Sequence, residues 1–225
     1  MKKEKLYILD KLASNPEVLS YLKKADKYLE AIGYTEHGIR HSRITAETAW
    51  NILKKLHYPQ REVELAAIAG FLHDIGNFLG REHHAQFSAI LAQQILQQMN
   101  MPQENIIDVM CAIASHEEEE YGASTDSISA AVVIADKSDV HRSRIRNLKF
   151  IKFDVHDRVN YAVTSSKLTI DEGNKSICLD LTIDTEISPV MEYFEIFLSR
   201  MVACRRATSI LKCHFNLLIN ENRLM

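Results

Sequence analysis

The apolar residues of this chain recur at one period up to about Asn147 and at another beyond Phe150. The first is the 3.6-residue repeat of amphipathic helices, and the second is the two-residue alternation of half-buried strands. This switch constrains the fold more than any composition figure does. It predicts a helical domain over residues 1–148 and a smaller α+β extension over 149–225, so the chain reads as mainly α.

Local punctuation supports the helical part. Asn15-Pro16-Glu17 sets a capping side chain before a proline at the first helical position and an acid near the positive end of the dipole. That helix is expected to run to Ala31 and stop at Gly33. A second begins near Gly38 and reaches about His57, and Pro59 opens a third with Leu65, Ala69, Leu72 and Gly76 along one stripe. A fourth runs from His84 to about Asn100. A fifth starts at Pro102 and carries Ile106, Val109, Ile113 and His116, and a sixth runs from about Ser127 into Lys137.

In the extension, Ile177, Leu179, Leu181 and Ile183 alternate with polar residues, as Leu168 and Ile170 do before them. Residues 171–175 between these runs read as the turn of a β-hairpin. Ser188-Pro189 then starts a long helix with the stripe Val190, Phe194, Phe197, Met201 and Cys204. Phe215, Leu217 and Ile219 alternate and suggest a third strand. An exposed strand edge is normally covered or paired, so this part is expected to pack on the bundle or to form a homodimer.

The 225 residues are 46% hydrophobic and carry 27 basic against 30 acidic side chains, a net charge of −3. No polybasic surface for nucleic acid or membrane follows from that balance. Cys111, Cys178, Cys204 and Cys213 form no C-x-x-C pair, which fits reduced thiols in a cytoplasmic protein. The N-terminal stretch has neither a long apolar run nor a small-residue cleavage site, so no signal peptide or spanning helix is expected.

The chemistry lies in the histidines and aspartates at predicted helix ends. His41 starts the second helix, His73-Asp74 end the third, His83-His84 open the fourth, His116 ends the fifth and Asp136 the sixth. A bundle gathers such residues around one cavity. Asp74 in G-F-L-H-D-I-G and Asp136 in V-V-I-A-D have apolar flanks, and an ionised carboxylate buried there needs a cation or another partner. Imidazole with carboxylate suits first-row divalent metals, and four histidines with two aspartates exceed one tetrahedral shell. Two ions about 3.5–4 Å apart clamp a phosphoryl group and activate a water, which points to hydrolysis.

These residues resemble the HD-domain metal-dependent phosphohydrolases, whose pattern is a histidine, then H-D, then a distant aspartate. The match is carried by His41 in R-H-S-R-I-T, His73-Asp74 in L-H-D-I-G and Asp136 in V-I-A-D-K, over roughly residues 35–145. A binuclear subset adds two histidines, which His84 in H-H-A-Q-F-S and His116 in I-A-S-H-E resemble. The resemblance implies an HD-type bundle and two divalent transition ions, with Fe, Mn, Ni, Co and Zn not distinguished. In that reading His41, His73, Asp74 and Asp136 are core ligands, Asp74 bridges, and His84 and His116 hold the second ion. Among members acting on dinucleoside polyphosphates or cyclic dinucleotides, the latter usually read H-D-I-G-K and carry a G-Y-P element. Here Asn77 replaces the lysine, and no G-Y-P is found.

The expected activity is hydrolysis of a phosphate ester or anhydride on a small nucleotide-like substrate. Asp74 would position or deprotonate the water, and Lys137, Arg142 or His37 would stabilise phosphoryl charge. Arg144 also reads as a phosphate contact or a solvated side chain. His37 on its own reads rather as a surface histidine, His83 is the rival of His84, and Glu117–Glu120 read as a solvated acidic loop. A non-catalytic metal-containing signalling module and a di-iron oxygenase use the same ligand types and stand as alternatives.

Overall fold

The computed structural model describes residues 7–117, 124–146 and 155–224. The expected boundary at 148/149 and residues Glu118–Glu120 of the acidic run lie outside these. Nine α-helices and one four-stranded sheet occur among the described residues: mainly α, with a small α+β part.

Seven helices build the bundle: α1 (Tyr7–Ser14), α2 (Pro16–Ala31), α3 (Ile39–Lys55), α4 (Gln60–Leu72), α5 (His84–Gln98), α6 (Gln103–Ala114) and α7 (Ser127–Ser138). The start of α2 follows its sequence, because Asn15 Oδ1 accepts the backbone N–H of Glu17 at 2.9 Å. Its end comes at Ile32, followed by Gly33 at φ 88. Two helices are buried almost all round. Every residue of α4 from Leu65 to Leu72 is buried, as is α7 from Ile128 to Ala135. A helix apolar on every face belongs in the middle of a domain. His73-Asp74 follow α4, and Asp136 lies in the last turn of α7, so these side chains emerge where water is already excluded.

Close backbone approaches set their spacing. A Cβ on Gly70 would sit 3.1 Å from the Ala46 backbone, so α4 crosses α3 tightly and carries His73 beside His41. A Cβ on Gly76 would stand 2.5 Å from Ser88 N and 2.8 Å from His84 O. The 3-10 turn Ile75–Leu79 therefore presses directly on the start of α5, and Gly76 N–H donates to Ser88 Oγ at 2.8 Å.

In the extension, α8 (Val155–Ala162) leads into β1 (Val163–Asp171), which pairs antiparallel with β2 (Ser176–Ile183). The long helix α9 (Val190–Ile210) then crosses over to β3 (His214–Ile219), which is parallel to β2, and β4 (Asn222–Arg223) closes the order β1-β2-β3-β4. A parallel pair needs such a crossover. Tyr193, Phe197 and Met201 of α9 join a second core with Leu179, Leu181 and Leu217, while Ala203, Ala207 and Leu211 enter the core of the bundle. The extension thus packs on the bundle. No described helix is long and apolar enough to cross a membrane, and all four cysteines are unbridged.

Candidate metal centre

Helix ends bring six side chains together at the heart of the bundle. His41, His73, Asp74, His84 and His116 are at most 2% exposed, and the Asp136 side chain is 12% exposed. Their ligand atoms fall into overlapping groups lying within 4.8 Å of one another.

Each imidazole is held from behind. His73 Nδ1 meets Gly70 O at 2.8 Å, His116 Nδ1 meets Ile113 O at 2.6 Å and His84 Nδ1 meets Arg81 O at 2.9 Å. A carbonyl only accepts, so these contacts place the ring proton on Nδ1 and leave the Nε2 lone pair facing inward. His41 directs Nδ1 at the carboxylate of Asp139 over 2.7 Å. The inward nitrogens then converge in pairs. His41 Nε2 lies 3.2 Å from His73 Nε2, and His84 Nε2 lies 3.1 Å from His116 Nε2.

Lone pairs facing each other at that distance repel unless an electrophile lies between them. Two nitrogens on one tetrahedral ion, each at about 2.0–2.1 Å, stand about 3.3 Å apart. The donor set therefore fits a divalent cation. The carboxylates say the same through charge. Burial alone lowers the His73 pKa, but the charge of Asp74 and bonds to Asp136 and Asp74 raise it to about 10. Without a metal, the site thus retains a proton as its positive partner. Burial also raises Asp74, but the charge of His73 and bonds from His116, His73 and His84 hold it well below the usual carboxylate range. Asp136 is held low against its own burial by Lys137 and by bonds from His41 and His73. Burial instead pushes His116 down to about 4, a neutral imidazole suited to ligation.

The two oxygens of Asp74 face different histidines. Oδ2 lies 3.4 Å from His73 Nε2 and 3.9 Å from His41 Nε2. Oδ1 lies 3.3 Å from His84 Nε2 and 3.7 Å from His116 Nε2. Asp136 Oδ1 completes the first group, 3.1 Å from His41 Nε2. Asn77 fixes this orientation, since its Nδ2 donates to Asp74 Oδ1 at 2.8 Å. The residue replacing the H-D-I-G-K lysine is therefore fully buried and bonded to the central carboxylate.

His84, not His83, enters the cluster. The His83 side chain is 46% exposed at the N-cap of α5. Lys137 pairs with Asp136 Oδ2 at 2.9 Å and lines a cleft of about 670 Å³, whose wall also includes Arg81 and Glu117 beside the cluster. Arg142 is not in that lining, and its guanidinium covers the Tyr161 ring at 5.1 Å. Arg144 is buried and donates to Glu36 O and Asp139 O, so it braces the fold and does not face the cleft.

His37 departs from the surface reading: it is 7% exposed and lines the cleft. Burial, then the charge of Arg144, push its pKa well below the ordinary value. Its Nδ1 is directed at Thr35 O at 2.7 Å, so the cleft-facing nitrogen accepts a proton or hydrogen bond and cannot donate one to a phosphoryl oxygen. Glu117 departs from the solvated-loop reading, lying 2.8 Å from His84 Nδ1 and 3.1 Å from Arg81 Nη2.

Three supporting residues escape sequence reasoning. Asp139 accepts from His41 and from both terminal nitrogens of Arg40 at 3.1 Å. Its one available signal is position, one helical turn after Asp136. Arg81 and Glu117 reach the site only through tertiary packing.

The comparisons agree with this geometry. Residues 38–141 match the family model described as HD domain. Over 204 residues the chain is 26% identical to the uncharacterized protein MJ1020 of Methanocaldococcus jannaschii, covering 80% of this chain and 77% of that one. The matched segment holds all six clustered histidines and aspartates, so residues 38–141 are similar to HD domains both in sequence and in the side chains gathered at the site.

Proposed function

We infer that the chain is a metal-dependent phosphohydrolase that binds two divalent ions and cleaves a phosphate ester or anhydride of a small nucleotide-like substrate. The observation that carries this reading is the division of Asp74 between two histidine pairs. One group offers His41, His73, Asp74 Oδ2 and Asp136, and the other offers His84, His116 and Asp74 Oδ1. When bound, the ions supply Lewis acidity and an activated water.

The chain supplies the rest. Asp74 orients the water between the two groups, with Asn77 fixing the carboxylate. Lys137 faces the cleft and supplies positive charge for a phosphoryl oxygen. The cleft volume of about 670 Å³ suits a small ligand. Its rim carries Tyr34 and Ile32, 43% and 46% exposed, against which a planar base can stack. Phe197 and Arg200 of α9 line the cleft too, so the extension contributes to the substrate wall.

The test is metal analysis of the purified protein, followed by phosphate release over nucleotides, dinucleotides and generic esters. Asp74→Ala is expected to abolish turnover while the chain stays folded. Equal release by wild type and variant refutes hydrolysis at this centre. An iron assay with an oxygen-consumption measurement separates the hydrolase from an oxygenase on the same ligands.

A further inference from the structure

Arg81 is the one guanidinium that touches the ligand cluster among the described residues. Its Nη1 lies 3.0 Å from His84 Nε2, 3.2 Å from Asn77 Oδ1 and 3.8 Å from Asp74 Oδ1. Its Nη2 pairs with Glu117 Oε1 at 3.1 Å, and its carbon lies 5.5 Å from the Tyr34 ring centroid. The backbone is anchored, because Arg81 O takes the contact from His84 Nδ1. Gly80 at φ 133 makes the bend that returns the chain to the site.

An imidazole nitrogen has a single lone pair. His84 Nε2 accepts the Arg81 hydrogen bond or ligates a metal, but cannot do both. A guanidinium beside a divalent ion is also repelled. Two of its other contacts do not involve His84, and there is open space beside it. Glu117 keeps Nη2, the Tyr34 ring lies alongside, and the cleft that Arg81 itself lines opens in front.

We propose that Arg81 is a built-in cation competing with the second ion, and that loading of that ion swings the guanidinium off His84 into the cleft, where it binds the substrate's phosphoryl oxygens. The proposal rests on the two-ion reading. It makes Arg81 a substrate-binding residue that is presented only once the second group is filled. Its fork geometry suits two phosphoryl oxygens at once.

The experiment uses chelator-stripped full-length protein and Mn²⁺ as the probe, with stoichiometry and affinity read by calorimetry and by electron paramagnetic resonance. Wild type is expected to bind one ion tightly and a second more weakly. Arg81→Ala removes a positive charge beside the second ion and is expected to tighten that step by about tenfold or more, with Arg81→Lys between the two. Inorganic phosphate is then titrated into the Mn²⁺-saturated proteins, where Arg81→Ala is expected to bind it about tenfold more weakly. Arg81→Gln, of similar length, repeats both measurements if the alanine variant is poorly folded.

A second-ion affinity in Arg81→Ala equal to or weaker than wild type overturns the proposal and leaves the two-ion reading standing. Equal phosphate affinity in the two loaded proteins overturns it as well. If wild type and Arg81→Ala both take up a single ion at saturation, the two-ion reading fails and takes the proposal with it.

Discussion

Asp139→Asn tests whether the residues behind the ligands tune the centre. The exchange keeps the side chain's shape and removes its charge. Asp139 Oδ2 lies 2.7 Å from His41 Nδ1, and its two oxygens take both terminal nitrogens of Arg40 at 3.1 Å. A hydrogen bond to a charged group contributes about 1.5–3 kcal/mol, and a neutral one about 0.5–1.5. The exchange therefore costs about 1–1.5 kcal/mol at His41 alone, and a less basic imidazole binds a metal less well. Such partners of a ligand change metal affinity by about 10–100-fold, and that range is expected for the first ion. The backbone carbonyl of Asp139 still receives Arg144 at 2.7 Å, so the fold is retained. Competition against a chromogenic chelator measures the affinity, and thermal unfolding in excess chelator measures the fold separately. A dissociation constant within about threefold of wild type refutes the view that Asp139 acts through His41.

Other consequences are testable in the same preparation. Arg144→Ala leaves Glu36 O and Asp139 O without a buried donor and is expected to cost about 3–5 kcal/mol, lowering the melting temperature by roughly 6–20 °C; a shift under about 2 °C contradicts its bracing role. Gly76→Ala drives a Cβ into the backbone of α5 and should cost about 1–3 kcal/mol and weaken the second ion, both absent if the turn yields freely. His84→Ala should reduce the bound ions from two to one while His83→Ala leaves the count unchanged, as metal analysis of each variant will show. In chelated protein, His73 is raised above its unfolded value to about 10. Its stabilising contribution is then complete below about pH 6.5 and lost as pH rises through about 10. On the proposed ligation His73 is neutral in metal-loaded protein, which should lack this alkaline loss; identical pH profiles with and without chelator would count against it.

Much of this organisation is visible in the sequence because it is local. Asn15-Pro16 and Gly33 bound α2 by capping chemistry, and the alternation of Ile177 to Ile183 marks β2. What tertiary packing decides is less visible. The two-turn helices α1 and α8 repeat too briefly to show a period. In α9, Phe197, Met201 and Cys204 of the expected stripe are buried, but Tyr193 rather than Phe194 is the buried aromatic one turn earlier. This helix packs on the sheet with one face and on α7 with another, so no single stripe describes it. The alternation in β3 announces a strand, but its parallel partner follows only from the path of α9. At the site, the six clustered residues are legible because each sits at a helix end. Arg81 and Glu117 are charged residues in polar surroundings; the turn that Gly76 presses against α5 carries Arg81 inward, and Glu117, just past α6, pairs with Arg81 and His84 there. Arg144 looks in sequence like any basic side chain, and its burial depends on carbonyls at Glu36 and Asp139 that no pattern announces.

Asp74 stands between the two histidine pairs with one oxygen for each. If each pair held a guest, the width between the carboxylate's two oxygens, set in a rigid covalent unit, would fix how far apart the two guests sit. Glutamate would keep that width but move it outward by a methylene, and asparagine would keep the width while surrendering one acceptor. Aspartate offers one oxygen to each pair from the position directly after His73 at the end of α4.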